Sequence, residues 1–233
     1  MRLVAVLLAL VPLALAAAPA DPAQRAERAD ALAARGDSES GRYQLAAALL
    51  AYEEALRIRR ELAAERPAEY REQLAASLMS VGTVREKLGQ HAAAGELYNE
   101  ALEIQRKLAQ ENLGAHAPLL AAVLDGLGST YEARGDYPLA LRSYEEALKL
   151  WRDLARHDPP AYRPKLALAL GNLGRVCYRQ QRYGYAEDYY YQAIALQTEL
   201  AKADPGTHEQ GLAALRAGAA DVALALQKIR EAR

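Results

Sequence analysis

The sequence predicts an all-α protein, an α-solenoid of stacked antiparallel helical hairpins with a C-terminal capping helix. Three observations carry that prediction. First, one short phrase recurs four times, each copy 46 residues after the last: Tyr52-Glu53-Glu54-Ala55-Leu56, Tyr98-Asn99-Glu100-Ala101-Leu102, Tyr144-Glu145-Glu146-Ala147-Leu148 and Tyr190-Tyr191-Gln192-Ala193-Ile194. A fixed period of this size marks units too small to bury their own apolar faces, which must lean on their neighbours. Second, Ala and Leu dominate, β-branched residues are few and Phe is absent, a composition that favours helix over strand. Third, Gly and Pro fall at repeating positions rather than at random, as turns between repeated helices require.

Taken in order, residues 1–20 are expected to be a cleaved signal peptide. Arg2 gives a minimal positive start, Leu3 to Ala18 is a nearly unbroken apolar run, and Ala18-Pro19-Ala20 supplies small residues for cleavage before Asp21. The run is short and Ala-rich against the about 20 apolar residues that a membrane span needs. Residues 21–233 then form a single domain of four units, about 22–66, 67–112, 113–158 and 159–204, with a cap at 205–233. The chain is expected to be exported, periplasmic or secreted, with no membrane span once the signal is removed.

Each unit begins with a helix, here called A. Leu74, Leu120, Leu166 and Leu212 share one register, followed by Leu78, Leu124 and Leu170, then Val81, Leu127 and Leu173. Steps of four and three trace one helical face. Gly82, Gly128 and Gly174 come directly after. A mid-helix Gly costs about 1 kcal/mol against Ala, so its repetition implies that another helix approaches closely there. Helix A ends near Leu88-Gly89-Gln90, Arg134-Gly135-Asp136 and Gln180-Gln181-Arg182. Gly suits a left-handed helix terminus, whereas Gln181 must accept strain or a different turn.

Helix B follows, with Ala94, Ala140 and Ala186, then the Tyr of the phrase, then Leu108, Leu154 and Leu200. It stops at Arg66-Pro67, Leu113-Gly114, Asp158-Pro159-Pro160 or Asp204-Pro205-Gly206, where Pro ends one helix and opens the next. In the first unit, residues 22–36 read as helix A, 37–41 as an enlarged turn, and about 43–65 as helix B. At the other end a last A-type helix runs from Leu212 to about residue 231. Arg216 replaces an apolar residue there and no B helix follows, the mark of a polar-backed cap.

Leu127-Gly128, Tyr131, Gly135-Asp136-Tyr137, Ala140, Tyr144 and Ala147 resemble the tetratricopeptide repeat signature. The resemblance extends over about residues 22–231. The 46-residue period is longer than the usual unit and is similar to the long-helix variants of kinesin light chains and many bacterial multi-repeat proteins. Arg85 and Cys177 depart from the register of Tyr131. The resemblance implies a right-handed superhelix whose A helices line an inner groove that holds a protein or peptide partner.

By register, the A-helix positions facing away from B are Met79, Thr83, Glu86 and Lys87, then Asp125, Ser129 and Glu132, then Arg175, Tyr178 and Arg179. These vary while the packing positions repeat, as a surface shaped for a ligand would. Charge along them runs from acidic around Asp125 and Glu132 to basic around Arg175 and Arg179. The chaperone-tail clamp of some relatives needs Lys where Met79, Asp125 and Gly171 stand, so that specificity is not supported. A second surface is the Tyr-rich stretch, where Arg182, Tyr185 and Tyr189 could form an aromatic contact patch; the bland reading is packing against the terminal helix. The alternative function is therefore a self-associating solenoid, a homo-oligomer formed through the last repeat and terminal helix.

Other chemistry is weakly supported. Lys plus Arg number 29 against 30 Asp plus Glu, which gives no field for nucleic acid. His91, His116, His157 and His208 fall at corners or helix starts without nucleophile or carboxylate partners, so no catalytic, metal or cofactor site is expected and the chain is not read as an enzyme. Glu53/Glu54 and Glu145/Glu146 read as a solvated face with support four residues along the helix. Cys177 is expected to be a buried, inert thiol, and Trp151 to be half-buried between units.

Overall fold

A computed structural model describes residues 21–232, and the signal-peptide reading of residues 1–20 lies outside them. Nine helices fill the described residues: α1 (Pro22–Gly41), α2 (Leu45–Glu65), α3 (Pro67–Lys87), α4 (His91–Glu111), α5 (Leu113–Ala133), α6 (Tyr137–His157), α7 (Pro159–Arg179), α8 (Tyr183–Ala203) and α9 (Pro205–Glu231). Odd-numbered helices are the A type and even-numbered ones the B type. Two helices of 21 residues, a three-residue turn and a one-residue corner make up the repeat period. Each helix packs against the one before and the one after it, the chain of nearest-neighbour contacts that defines a solenoid.

The corners are built by side chains. Asn112, Asp158 and Asp204 share a register, and each accepts a hydrogen bond from the backbone N–H three residues on, at 3.2–3.3 Å. That satisfies one of the donors a helix start leaves unpaired. Pro67, Pro159 and Pro205 open α3, α7 and α9, where a missing N–H costs nothing.

The A-to-B turns reuse one geometry. Gly89 and Gly135 have φ of +75° and +78°, and Gln181 and Tyr43 each reach +59° at the same register. Gln181 thus takes the strained conformation rather than a different turn.

The first unit differs from expectation. Residues 37–41 are not an enlarged turn but the last turns of α1, and the reversal is confined to 42–44. Gly36 stands 46 residues before Gly82, in the mid-helix register. Its partner is Tyr52, whose ring would lie 2.6 Å from an added Cβ. Asp37, one residue on, accepts from the Tyr52 hydroxyl at 2.5 Å.

That close approach organises the core. Tyr52, Tyr98, Tyr144 and Tyr190 are all buried. Each lies on a small residue of its own A helix (Gly36, Gly82, Gly128 and Gly174), and Tyr98 and Tyr190 also touch Gly126 and Gly218 of the next A helix. Tyr98 thus locks its unit to the following one, and Tyr190 locks the last unit to α9. Trp151 is fully buried rather than half-buried, at 3% exposure, and its ring packs 6.0 Å from that of Tyr162 of the next unit. Cys177 is buried, and burial pushes its thiol pKa up. Val222 of α9 packs into the last cluster with Cys177, Ala186 and Tyr190, while Arg216 faces solvent as a cap requires.

The outer side carries bridges between B helices of successive units. Arg60 reaches Glu100 at 2.5 Å, Arg106 reaches Glu146 at 2.9 Å, and Arg152 donates to Gln192 at 3.0 Å. Glu53 and Glu54 likewise pair with Arg85 of α3 and Arg28 of α1. Glu53, Glu54 and Glu146 are thus tied between helices, not along one helix as expected.

Candidate functional site: the A-helix wall

Neighbouring A helices touch directly, α3 with α5 and α7 with α9, and the closer side of a curved stack is its inner side. The B helices are bridged by long Arg and Glu side chains, which suits the wider, outer side. The A helices therefore form the more closely packed wall of the stack.

The variable positions sit on this wall, but several are already engaged with one another. The Glu86 carboxylate accepts from the Tyr98 hydroxyl at 2.9 Å and from the Ser129 hydroxyl of the next unit. Thr83 lies 3.2 Å from the same Tyr98 oxygen. One unit on, the Glu132 carboxylate accepts from Tyr144 at 3.2 Å and from Arg175 at 2.5 and 2.8 Å. That bidentate pair holds the Arg175 guanidinium protonated well above its ordinary range, the hydrogen bonds to Glu132 outweighing desolvation. Tyr98 and Tyr144 have raised pKa values, chiefly through burial and then through the neighbouring carboxylate. The acid-to-base gradient read along the groove is thus closed in part by the ion pair between Glu132 and Arg175.

Asp125 is engaged as well. Its Oδ2 accepts from the Trp151 indole N–H at 2.7 Å, while Oδ1 is buried with no hydrogen-bond partner among the described residues. Burial raises its pKa from 3.8 to about 6, against the lowering effects of Trp151 and Lys165. Met79, one unit earlier, packs beside the cluster of Val81 and Tyr98. Lys87 and Arg179 are exposed at the ends of α3 and α7, and the Tyr178 ring packs 5.7 Å from that of Tyr183, tilted by 59°.

In the Tyr-rich stretch, the Arg182 guanidinium lies 4.5 Å over the ring of Tyr185, which is 58% exposed. Tyr189 is half-buried and packs beside Tyr190 and Cys177, so it does not join Tyr185 as one open face. Among the described residues no group of three His, Cys, Asp or Glu is arranged to hold a metal, and no helix is long and apolar enough to cross a membrane.

Sequence reasoning missed a cleft between α7 and α9. It has a volume of about 880 Å³, with Tyr190 and Gln197 of α8 at its base. The signal was present in the registers. Positions equivalent to Trp151 and Tyr162 are Gln197 and His208, and the position equivalent to Asp125 is Gly171.

Two family models, each described as tetratricopeptide repeat, match residues 73–153 and 166–205. Together they span more than half of the chain. The chain belongs to the tetratricopeptide repeat family. Among solved structures, this repeat protein is similar to BtubC (BKLC) from P. vanneervenii, with TM-score 0.70 and 19% identity over 91% of this chain and 78% of that one. A putative kinesin light chain from Podosopora anserina with nearly identical TPR-like repeats gives TM-score 0.64 and 17% identity, over 92% of each chain. Aspartyl phosphate phosphatase F from Bacillus subtilis gives 0.65 and 16% over 88% of this chain but 49% of that one. At these identities the likeness is one of fold. No curated protein matches the sequence. The long-unit reading stands: the repeat fold is that of kinesin-light-chain-like solenoids, a type suited to protein–protein interaction.

Proposed function

We propose that this tetratricopeptide repeat protein is an exported scaffold or adaptor that holds a protein or peptide segment along its concave A-helix wall. The observation that carries the reading is the division of labour within the repeat. Positions that pack, such as Gly128 and Tyr144, recur, while Met79, Lys87, Asp125, Arg175, Tyr178 and Arg179 on the wall differ from unit to unit. Extended concave faces are the usual working surface of solenoids. The Glu132–Arg175 ion pair and the hydrogen bonds of Glu86 engage much of the wall, so that Lys87 and Arg179 remain the side chains best placed to meet a partner. The reading of residues 1–20 as a signal peptide, from the apolar run Leu3 to Ala18 and the small residues before Asp21, supports export.

The test is partner capture from envelope extract with Lys87→Glu and Arg179→Glu, each measured alone. Glu103→Lys and Lys149→Glu serve as outer-face controls, because each lies midway between residues that bridge to the flanking B helices. Severalfold loss with the first pair and none with the second supports the wall. Equal capture by all four variants removes it.

A second reading, self-association, has a specific observation in its favour. Tyr191 in α8 and Leu224 in α9 are 64% and 51% exposed near the end of the stack, where no further helix follows among the described residues. Light scattering across a concentration series separates the readings, and a monomer throughout removes self-association.

A further inference from the structure

Three of the four repeat tyrosines donate their hydroxyl to a carboxylate: Tyr52 to Asp37, Tyr98 to Glu86 and Tyr144 to Glu132. The fourth, Tyr190, has no such acceptor among the described residues, because Tyr178 stands at the register of Glu86 and Glu132. Its ring rests on Gly174 and Gly218, and the side chain lines the cleft between α7 and α9. Arg175 and Arg179 line the same cleft. Arg175 uses Nε and Nη2 on Glu132, which leaves Nη1 without a partner among the described residues. An unused hydroxyl donor and two guanidinium groups thus converge where the preceding units place an internal carboxylate.

The space beside these donors also has an internal precedent. Between α5 and α7 the gap is filled by the rings of Trp151 and Tyr162, packed 6.0 Å apart and tilted by 31°. Between α7 and α9 the equivalent pair is Gln197 and His208, which bond each other at 3.1 Å through Nε2 and the backbone carbonyl. Leu215 packs over Gly171 and the Gln197 amide over Gly211, so the open wall of the cleft is made by Ala214, Leu215 and Ala217, with Leu168 on the α7 side. The terminal gap has therefore lost one flat aromatic group and one carboxylate relative to the gap before it. Its volume of about 880 Å³ falls in the range of about 300–1,000 Å³ typical of small-molecule sites.

We propose that this cleft binds a small carboxylic acid bearing a flat apolar ring. The carboxylate accepts from Tyr190 Oη and from Arg179 and Arg175, as Glu132 accepts from Tyr144 and Arg175. The ring lies against Leu215, Ala214 and Ala217, beside the Gln197 side chain that stands where Trp151 stands one unit earlier. Asp221, on the α9 wall, repels the carboxylate and directs it to the α7 side. This site goes beyond the partner-binding role of the wall and does not require a partner to be present.

The test is isothermal titration calorimetry on the chain from residue 21 onward with indole-3-propionate. The half-ligands 3-methylindole and propionate are the comparators. Saturable one-to-one binding is expected, at least about tenfold tighter than either half-ligand. A hydrogen bond to a charged group sets the scale for Tyr190→Phe, which should weaken binding about tenfold. Arg179→Gln, an exposed position that leaves the fold intact, should also weaken it severalfold. Ala217→Trp should abolish it by filling the cleft, with the helical circular dichroism unchanged, and Asp221→Asn should strengthen it. The proposal is overturned by no binding at millimolar ligand, or by affinity that Arg179→Gln and Ala217→Trp leave unaltered. It is equally overturned if an end-blocked peptide containing Trp and Asp binds the cleft while the free acid does not. Lys87→Glu separates the two roles: it should impair partner capture and leave ligand affinity untouched.

Discussion

Replacing Gly128 by Ala should destabilise the protein even though Ala is the better helix former. A Cβ at Gly128 would lie 2.5 Å from the Tyr144 ring, well inside van der Waals contact. The ring cannot retreat, since Tyr144 is fully buried and its hydroxyl is held by Glu132. Helix propensity favours Ala by about 1 kcal/mol, and forced overpacking opposes it by about 1–3 kcal/mol. Where the neighbour is a pinned aromatic ring the upper part of that range applies, so the net loss is about 1–2 kcal/mol. Gly184→Ala is the matched control, because nothing lies within 4 Å of its added Cβ. It should be neutral or stabilising by up to about 1 kcal/mol. Urea denaturation followed by circular dichroism reads both, with the midpoint compared at fixed slope. Combining Gly128→Ala with Tyr144→Leu should recover part of the loss, since the pair is in contact and its effects should not add. If Gly128→Ala moves the midpoint in the same direction as Gly184→Ala, the close-approach argument is wrong.

Other outcomes follow from single residues. Gln181→Gly should stabilise by up to about 1 kcal/mol, because it relieves a non-glycine residue at φ +59°; thermal melts check this. Asp125 has a native pKa raised to about 6 from 3.8, so the folded state binds more protons than the unfolded one between those values. Its contribution to stability is therefore greatest at low pH and falls as pH rises through that window, by at most about 3 kcal/mol. Asp125→Asn should flatten the pH dependence of the urea midpoint between pH 4 and 7, and an unchanged profile would count against the buried carboxylate. Arg106→Ala, which removes one exposed rung of the outer ladder, should cost no more than about 1 kcal/mol and less at high salt.

The repeat made most of the fold legible. The register of Leu78, Gly82 and Tyr98 can be read four times over, and packing against an identical neighbour is what each register encodes. The first unit was harder, because a Ser- and Asp-rich stretch favours turns locally while Tyr52 and Asp37 hold it in helix α1. Gly36 closes the helix that the sequence predicts over 22–36, yet counting 46 back from Gly82 assigns it to the mid-helix packing series. On the wall, the sequence gives positions but not partners. That Glu132 meets Arg175, 43 residues on, depends on the distance between adjacent A helices. Asp125 was legible as a wall position, but its bond to Trp151 was not, because that indole crosses from a B helix. The α7–α9 cleft arises from substitutions at three registers at once, which become meaningful only when the helices carrying them are seen side by side.

The face that meets the partner decides between the inner wall and the outer B helices. A photo-activatable amino acid placed at Lys87, on the inner wall, and separately at Lys149, on the outer face, reads this in one cross-linking experiment. The same protein species should cross-link from position 87 and not from position 149. Cross-linking from position 149 alone would contradict the inner-wall assignment and move the working surface to the B helices.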